Sequence, residues 1–89
     1  MPMARKVIVD TYPVQIAPFN PKRVTLGIFN TGNYTVYISP DRVNILNNGW
    51  PINAGVGVIF KRKDGDHVEY ELWGQATAQT ELRVWEDYE

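Results

Sequence analysis

The chain contains no cysteine, which excludes disulfide staples and thiolate metal sites and fits folding in a reducing compartment. It has one histidine, His67, and one serine, Ser39, so the usual partners for nucleophilic catalysis are scarce. No apolar run approaches the ~20 residues that a bilayer-spanning helix needs. Near the start, Val7-Ile8-Val9 is broken at once by Asp10, too short for the core of a secretory signal. The expectation is a soluble protein made in the cytoplasm. An excess of one charge is also missing, with nine basic residues against ten acidic ones. The only basic cluster, Lys61-Arg62-Lys63, is followed directly by Asp64 and Asp66. Neither a nucleic acid nor a membrane surface is therefore an expected partner. The cluster reads as a solvated hairpin tip, and the acidic stretch Glu86-Asp87-Tyr88-Glu89 as a solvated end.

A helical period of useful length is absent as well. Alternation of period two is present instead. In the stretch from Asn20 to Ser39, Val24, Leu26 and Ile28 alternate with Thr25 and Gly27, and Val36 and Ile38 resume the phase after Thr31-Gly32-Asn33. This pattern predicts a β-hairpin, with Gly and Asn supplying the turn. Lys22 and Arg23 are expected to face water. A second hairpin is predicted from Val56, Val58 and Phe60 through Lys63-Asp64-Gly65-Asp66 to a return strand over residues 67–73. Residues 74–80 read as a loop, and residues 81–86 as a closing strand with Leu82 and Val84 inward and Glu81, Arg83 and Glu86 polar. The irregular segment 43–55 carries Val43, Ile45, Leu46, Trp50 and Ile52, which should pack it over one end of the core.

At 89 residues this is one domain with a single modest core. Residues 1–19 read as an N-terminal arm or edge strand, since Pro13 interrupts any central strand there, and residues 20–89 as the main body. About seven short strands joined by turns predict an all-β fold, a small antiparallel sandwich or flattened barrel with an extended N-terminal arm.

Candidate chemistry is thin. His67 beside Asp66 is the pattern of a surface residue, and nothing couples it to Ser39, whose place before Pro40 fits a structural hydroxyl. Asp64-Gly65-Asp66 lacks the flanking oxygen ligands of a calcium loop and has Arg62 and Lys63 beside it. Gly55-Val56-Gly57 leads into a strand, not the helix that a phosphate loop exploits. No catalytic residue, metal or cofactor is expected.

Aromatic placement is the informative anomaly. If Leu26 and Ile28 face the core, Phe29 lies on the opposite face. By the same count Tyr37, Trp73 and Trp85 also point outward. Burial of such a side chain is worth ~1.5–3 kcal/mol, so a cover is expected. Either the monomer supplies it, or these rings contact other protein chains. A third possibility is a platform for sugar rings, with Glu71, Gln75, Glu81 and Arg83 as polar partners. The candidate interaction residues are Phe29, Tyr37, Trp50, Trp73 and Trp85, together with Val7, Ile8 and Val9, whose strand is suited to pairing with a neighbour's sheet edge.

The run Asn20-Pro21-x-Arg23-Val24-x-Leu26-x-Ile28-x-Asn30-x-Gly32, followed by Val36-Tyr37-Ile38, resembles small virion proteins of tailed bacteriophages. So do Gly49-Trp50-Pro51-Ile52-Asn53-Ala54-Gly55 and the ending Leu82-Arg83-Val84-Trp85-Glu86. The resemblance spans residues 20–86 and is one of strand and turn residues. It implies a β-sandwich without enzymatic activity that adds to the outside of a capsid as a decoration (cement) protein or sits elsewhere on the virion. Such a protein binds the major capsid protein from outside and bridges neighbouring subunits, with copies clustered as homo-oligomers, in one arrangement trimers. Synthesis would be in the host cytoplasm. The alternative is a carbohydrate-binding or host-recognition module of a phage tail or fibre, with a glycan as ligand.

Overall fold

A computed structural model describes residues 2–89; Met1, the first residue of the segment read as an arm, lies outside them. In chain order the strands are β1 (Met3–Val9), β2 (Val14–Ala17), β3 (Arg23–Asn30), β4 (Val36–Ser39), β5 (Trp50–Ile52), β6 (Gly57–Lys61), β7 (Leu72–Ala76) and β8 (Thr80–Tyr88). A four-residue helical turn, α1 (Ile45–Asn48), precedes β5, and a 3-10 turn (Arg62–Asp64) follows β6. The strands form two four-stranded sheets with orders β1-β8-β3-β6 and β2-β7-β4-β5, and every neighbouring pair is antiparallel. The expected all-β sandwich is thus what the chain forms.

The pairs β1–β8, β2–β7, β3–β6 and β4–β5 describe one long two-stranded ribbon wound up on itself. This is the strand order of an eight-stranded jelly roll. Winding lays the ribbon's segments alternately in the two sheets, so every connection except β4–β5 crosses the sandwich. The inward faces carry the apolar phase of each strand: Val9, Ile16, Leu26, Ile28, Val36, Ile38, Ile52, Leu82 and Val84 form one buried core.

Both expected hairpins are corrected by this topology. The strands of the first, β3 and β4, belong to opposite sheets and arch over the core. Asn30 holds the arch. Its buried side chain donates through Nδ2 to the carbonyls of Tyr34 (2.8 Å) and Ile52 (2.9 Å) and accepts the Gly32 amide at 3.0 Å. Gly32 is needed for close approach, since a Cβ there would lie 2.8 Å from the backbone nitrogen of Glu81 and 1.7 Å from Thr80 Oγ1. Asn30→Leu, which strands two carbonyls and an amide, is expected to lower stability by about 2–4 kcal/mol, read from the urea midpoint.

The second hairpin parts in the same way. The turn is real: Gly65 has φ 89°, and the Asp66 carboxylate accepts the Lys61 amide at 2.9 Å. Beyond it, however, residues 67–71 form no strand, and β7 joins the other sheet. The expected 74–80 loop shrinks to residues 77–79, because Gly74 to Ala76 pair with β4.

The described residues of the 1–19 segment include two edge strands. β1 pairs with β8 at all seven of its residues, and β2 lies at the edge of the second sheet. No arm leaves the body among the described residues.

The expectation that Arg23 and Glu86 face water is overturned. A register shift between Arg23 and Thr25 turns Arg23 inward, where it is 0% exposed, and Glu86 is 1% exposed. Their side chains form an ion pair at 3.0 Å. Arg5 pairs with the same carboxylate and donates to the Ile16 carbonyl of the opposite sheet. Arg23 also donates to the carbonyls of Pro18 (2.6 Å), Val68 (2.9 Å) and Tyr70 (3.3 Å). One end of the sandwich is therefore closed by charge and not by hydrocarbon. Burial pushes the Glu86 carboxyl upward, but a hydrogen bond donated by Tyr88 (2.7 Å), that from Arg5, and the charges of Arg5 and Arg23 outweigh it, so its pKa lies below the usual value.

Candidate interaction surfaces

The outward aromatics divide into two groups, because the two sheets are covered differently. On the outer face of the β2-β7-β4-β5 sheet, α1 packs against β4 and β7. Ile45 of α1 is fully buried there. Tyr37 and Trp73 are only part-exposed, and the Arg42 guanidinium stands 5.9 Å from the centre of the Trp73 ring, a cation–π contact. For these two rings the cover is the chain's own segment 41–48.

The outer face of the β1-β8-β3-β6 sheet has no such cover among the described residues. The register places Ala4, Trp85, Gly27 and Ile59 side by side across all four strands, and Lys6, Arg83, Phe29 and Gly57 in the next row. Trp85 is 50% exposed, Ile59 65%, and Phe29 is likewise exposed. A Cβ on Gly27 would sit 3.5 Å from Trp85 Cβ and 3.7 Å from Ile59 Cγ1. The glycine is thus the floor of a hollow walled by those two side chains.

A second apolar surface opens where β5 and β6 face each other at the sandwich edge. This crevice holds about 340 Å³ and is lined by Leu26, Ile38, Trp50, Phe60, Tyr70 and Leu72, with Ser39, His67 and Glu71 also at the site. Trp50 is 69% exposed. His67 packs its ring against Tyr70, with centroids 5.8 Å apart, and pairs with Glu69 at 3.2 Å. Ser39 shares the crevice, but its Oγ accepts the Asp41 amide at 3.1 Å, and no hydrogen bond joins it to His67 among the described residues.

No family model, no curated protein and no solved structure matches this chain. The surfaces are accordingly read from their own chemistry. Of the eight residues singled out from sequence, Phe29 and Trp85 meet on one bare face, and Trp50 stands at the crevice. Ile8 is exposed on the same sheet as Trp85, Val7 packs part-buried against the core, and Val9 is fully buried and unavailable to a partner. Strand parity already puts Ile59 and Gly27 on the outer face, but sequence reasoning missed them as interaction candidates, and missed Tyr70 as the neighbour of Trp50.

Proposed function

We propose that this is a non-enzymatic virion structural protein, a capsid decoration protein that binds the outer surface of a shell of major capsid protein and stabilises it by bridging neighbouring subunits. The observation that supports this most is the pair of separate apolar surfaces, the bare sheet face and the Trp50–Tyr70 crevice, on a frame whose strands are otherwise committed to folding. A bridging protein needs more than one contact surface, and exposed tryptophan and tyrosine are the side chains that anchor such contacts. The resemblance to phage virion proteins acquires a physical account as well. Arg23 of the N-P-x-R run ties together the connections before β3 and β7, and Asn30 and Gly32 build the first arch, so the shared pattern is one of fold-making residues. It supports the reading by analogy of fold, and function is argued from the surfaces.

The crevice is the shell contact in this reading. Co-sedimentation with purified expanded capsids that lack the protein tests it. Trp50→Ala and Tyr70→Ala are each expected to weaken binding by at least about 10-fold, with the thermal midpoint of the free protein moved by no more than a few degrees, since both rings are largely solvated. Wild-type protein that stays in the supernatant sinks the proposal. The same crevice gives the second reading its one supporting observation: Trp50 and Tyr70 offer flat apolar faces beside the carboxylate of Glu71, the arrangement a sugar ring would meet. Binding on a glycan array, lost in Trp50→Ala, would favour that reading over the first.

A further inference from the structure

The bare sheet face is not a featureless greasy patch. Its central row runs Ala4, Trp85, Gly27, Ile59 across the strands, alternately small, large, small and large. Read in reverse, the row becomes large, small, large, small. A two-fold axis parallel to the strands, lying between β8 and β3, therefore sets each projection of one copy over a gap of the other: Trp85 over Gly27, and Ile59 over Ala4. The next row is Lys6, Arg83, Phe29, Gly57, in which the Phe29 ring lies against its neighbour Gly57. There the axis lays the Arg83 guanidinium over the partner copy's Phe29 ring, a favourable cation–π geometry, and Lys6 over the partner copy's Gly57. No like charges are opposed in either row. The other in-plane two-fold, perpendicular to the strands, sets Trp85 against Trp85 and Ile59 against Ile59 when drawn through the central row, bulk on bulk.

From this we infer that the protein is a two-fold dimer joined through the outer faces of its β1-β8-β3-β6 sheets. Symmetric interfaces are isologous, so a patch that is its own complement is what a second copy requires. Sheets packed with their strands aligned sit about 10 Å apart, the spacing at which a tryptophan reaches the opposite backbone. The area is adequate. Four strands about 4.8 Å apart and seven residues at about 3.3 Å each give about 440 Å² in flat projection. Side chains standing off the sheet raise this toward the ~800 Å² per partner of a standard interface. The dimer carries one Trp50–Tyr70 crevice per copy, outside the joined faces, and so offers two equivalent contacts. This deepens the bridging role, which needs two such contacts, while the dimer itself is measured on the protein alone.

The sequence offers an unusually clean test at Gly27. Its backbone does not need glycine, and a Cβ there makes ordinary contacts at 3.5 Å or more, yet a side chain would fill the hollow that receives the partner's Trp85. Sedimentation equilibrium at about 100 µM, well above the ~1 µM dissociation constants that interfaces of this class reach even at the weak end, should give twice the 10.2 kDa chain mass. Gly27→Thr, a β-former at a strand position, should keep the circular dichroism and thermal midpoint of the fold and raise the dissociation constant at least about 30-fold. Trp85→Ser should do the same. A wild-type monomer or trimer at that concentration overturns the inference however the variants fold. So does a folded Gly27→Thr protein that dimerises as tightly as wild type. Loss of dimerisation with shell binding reduced but present would separate this inference from the proposed function. A dimer that ignores capsids would leave the inference standing and remove the function.

Discussion

Glu86→Leu is expected to destabilise the protein by about 3–5 kcal/mol, because it leaves Arg23 buried without its counter-charge. For a domain of this size that corresponds to a fall in thermal midpoint of roughly 15–30 °C, enough to unfold much of the population at 37 °C if total stability lies at the low end of the ~5–15 kcal/mol range. Arg5 retains partial access to solvent and can relax outward. Arg23 cannot, since its guanidinium is held by three backbone carbonyls as well as the carboxylate. Acid should reproduce the mutation. The Glu86 carboxyl is lowered in the folded protein, so its contribution is present above the unfolded-state value of about 4.3 and is lost as pH falls through the lower folded value. Urea midpoints measured from pH 7 down to pH 3 should therefore drop more steeply for wild type than for Glu86→Gln, in which this carboxyl no longer titrates. Parallel profiles would show that the cluster does not control acid stability.

Removal of residues 2–9 should abolish folding. In sequence the segment reads as an arm or an edge strand, and deleting an arm would leave the body intact. As β1 it pairs with β8 along its whole length, buries Val9 completely and supplies Arg5 to the ionic cluster. Its loss exposes one side of β8 and part of the core beneath it, a deficit that a domain of 89 residues has little stability to absorb. The expected result is a truncated protein that lacks a cooperative thermal transition and a native β-sheet circular dichroism signal. A folded truncation would return β1 to the status of an appendage.

Alternation in sequence shows which face of a strand is buried: Leu26, Ile28, Val36, Ile38, Leu82 and Val84 face the core, whereas Val24, at the bulge, and Val56, ahead of β6, do not join it. It is silent on which strands pair, because β3 and β4 would show the same phase as neighbours in one sheet or as opponents across a sandwich. That is why the Lys63–Asp66 turn and the bend after Asn30 both look like hairpins in the sequence. The ionic cluster was partly visible, since Arg5 is in phase with Val7 and Val9, and Glu86 with Leu82 and Val84. Two opposite charges on inward positions of separate strands are a signal of pairing. Arg23 gave none, for the bulge beside it changes the phase within a single residue. Among the surface residues, Phe29 and Trp85 are legible from parity alone. Gly27 is not, because its importance comes from Trp85 and Ile59, which reach it from strands distant in the chain.

The wound topology has a bearing on how the molecule is made. β8 lies between β1 and β3, and among the described residues β1 has no other hydrogen-bonded strand. β1 must therefore wait for residues 80–88 before it can dock. With only β4–β5 joined locally, most contacts span long stretches of sequence, a condition that slows folding. The β1-β8-β3-β6 sheet is then completed only once residues 80–88 are available, and until that point the facing edges of β1 and β3 stay open.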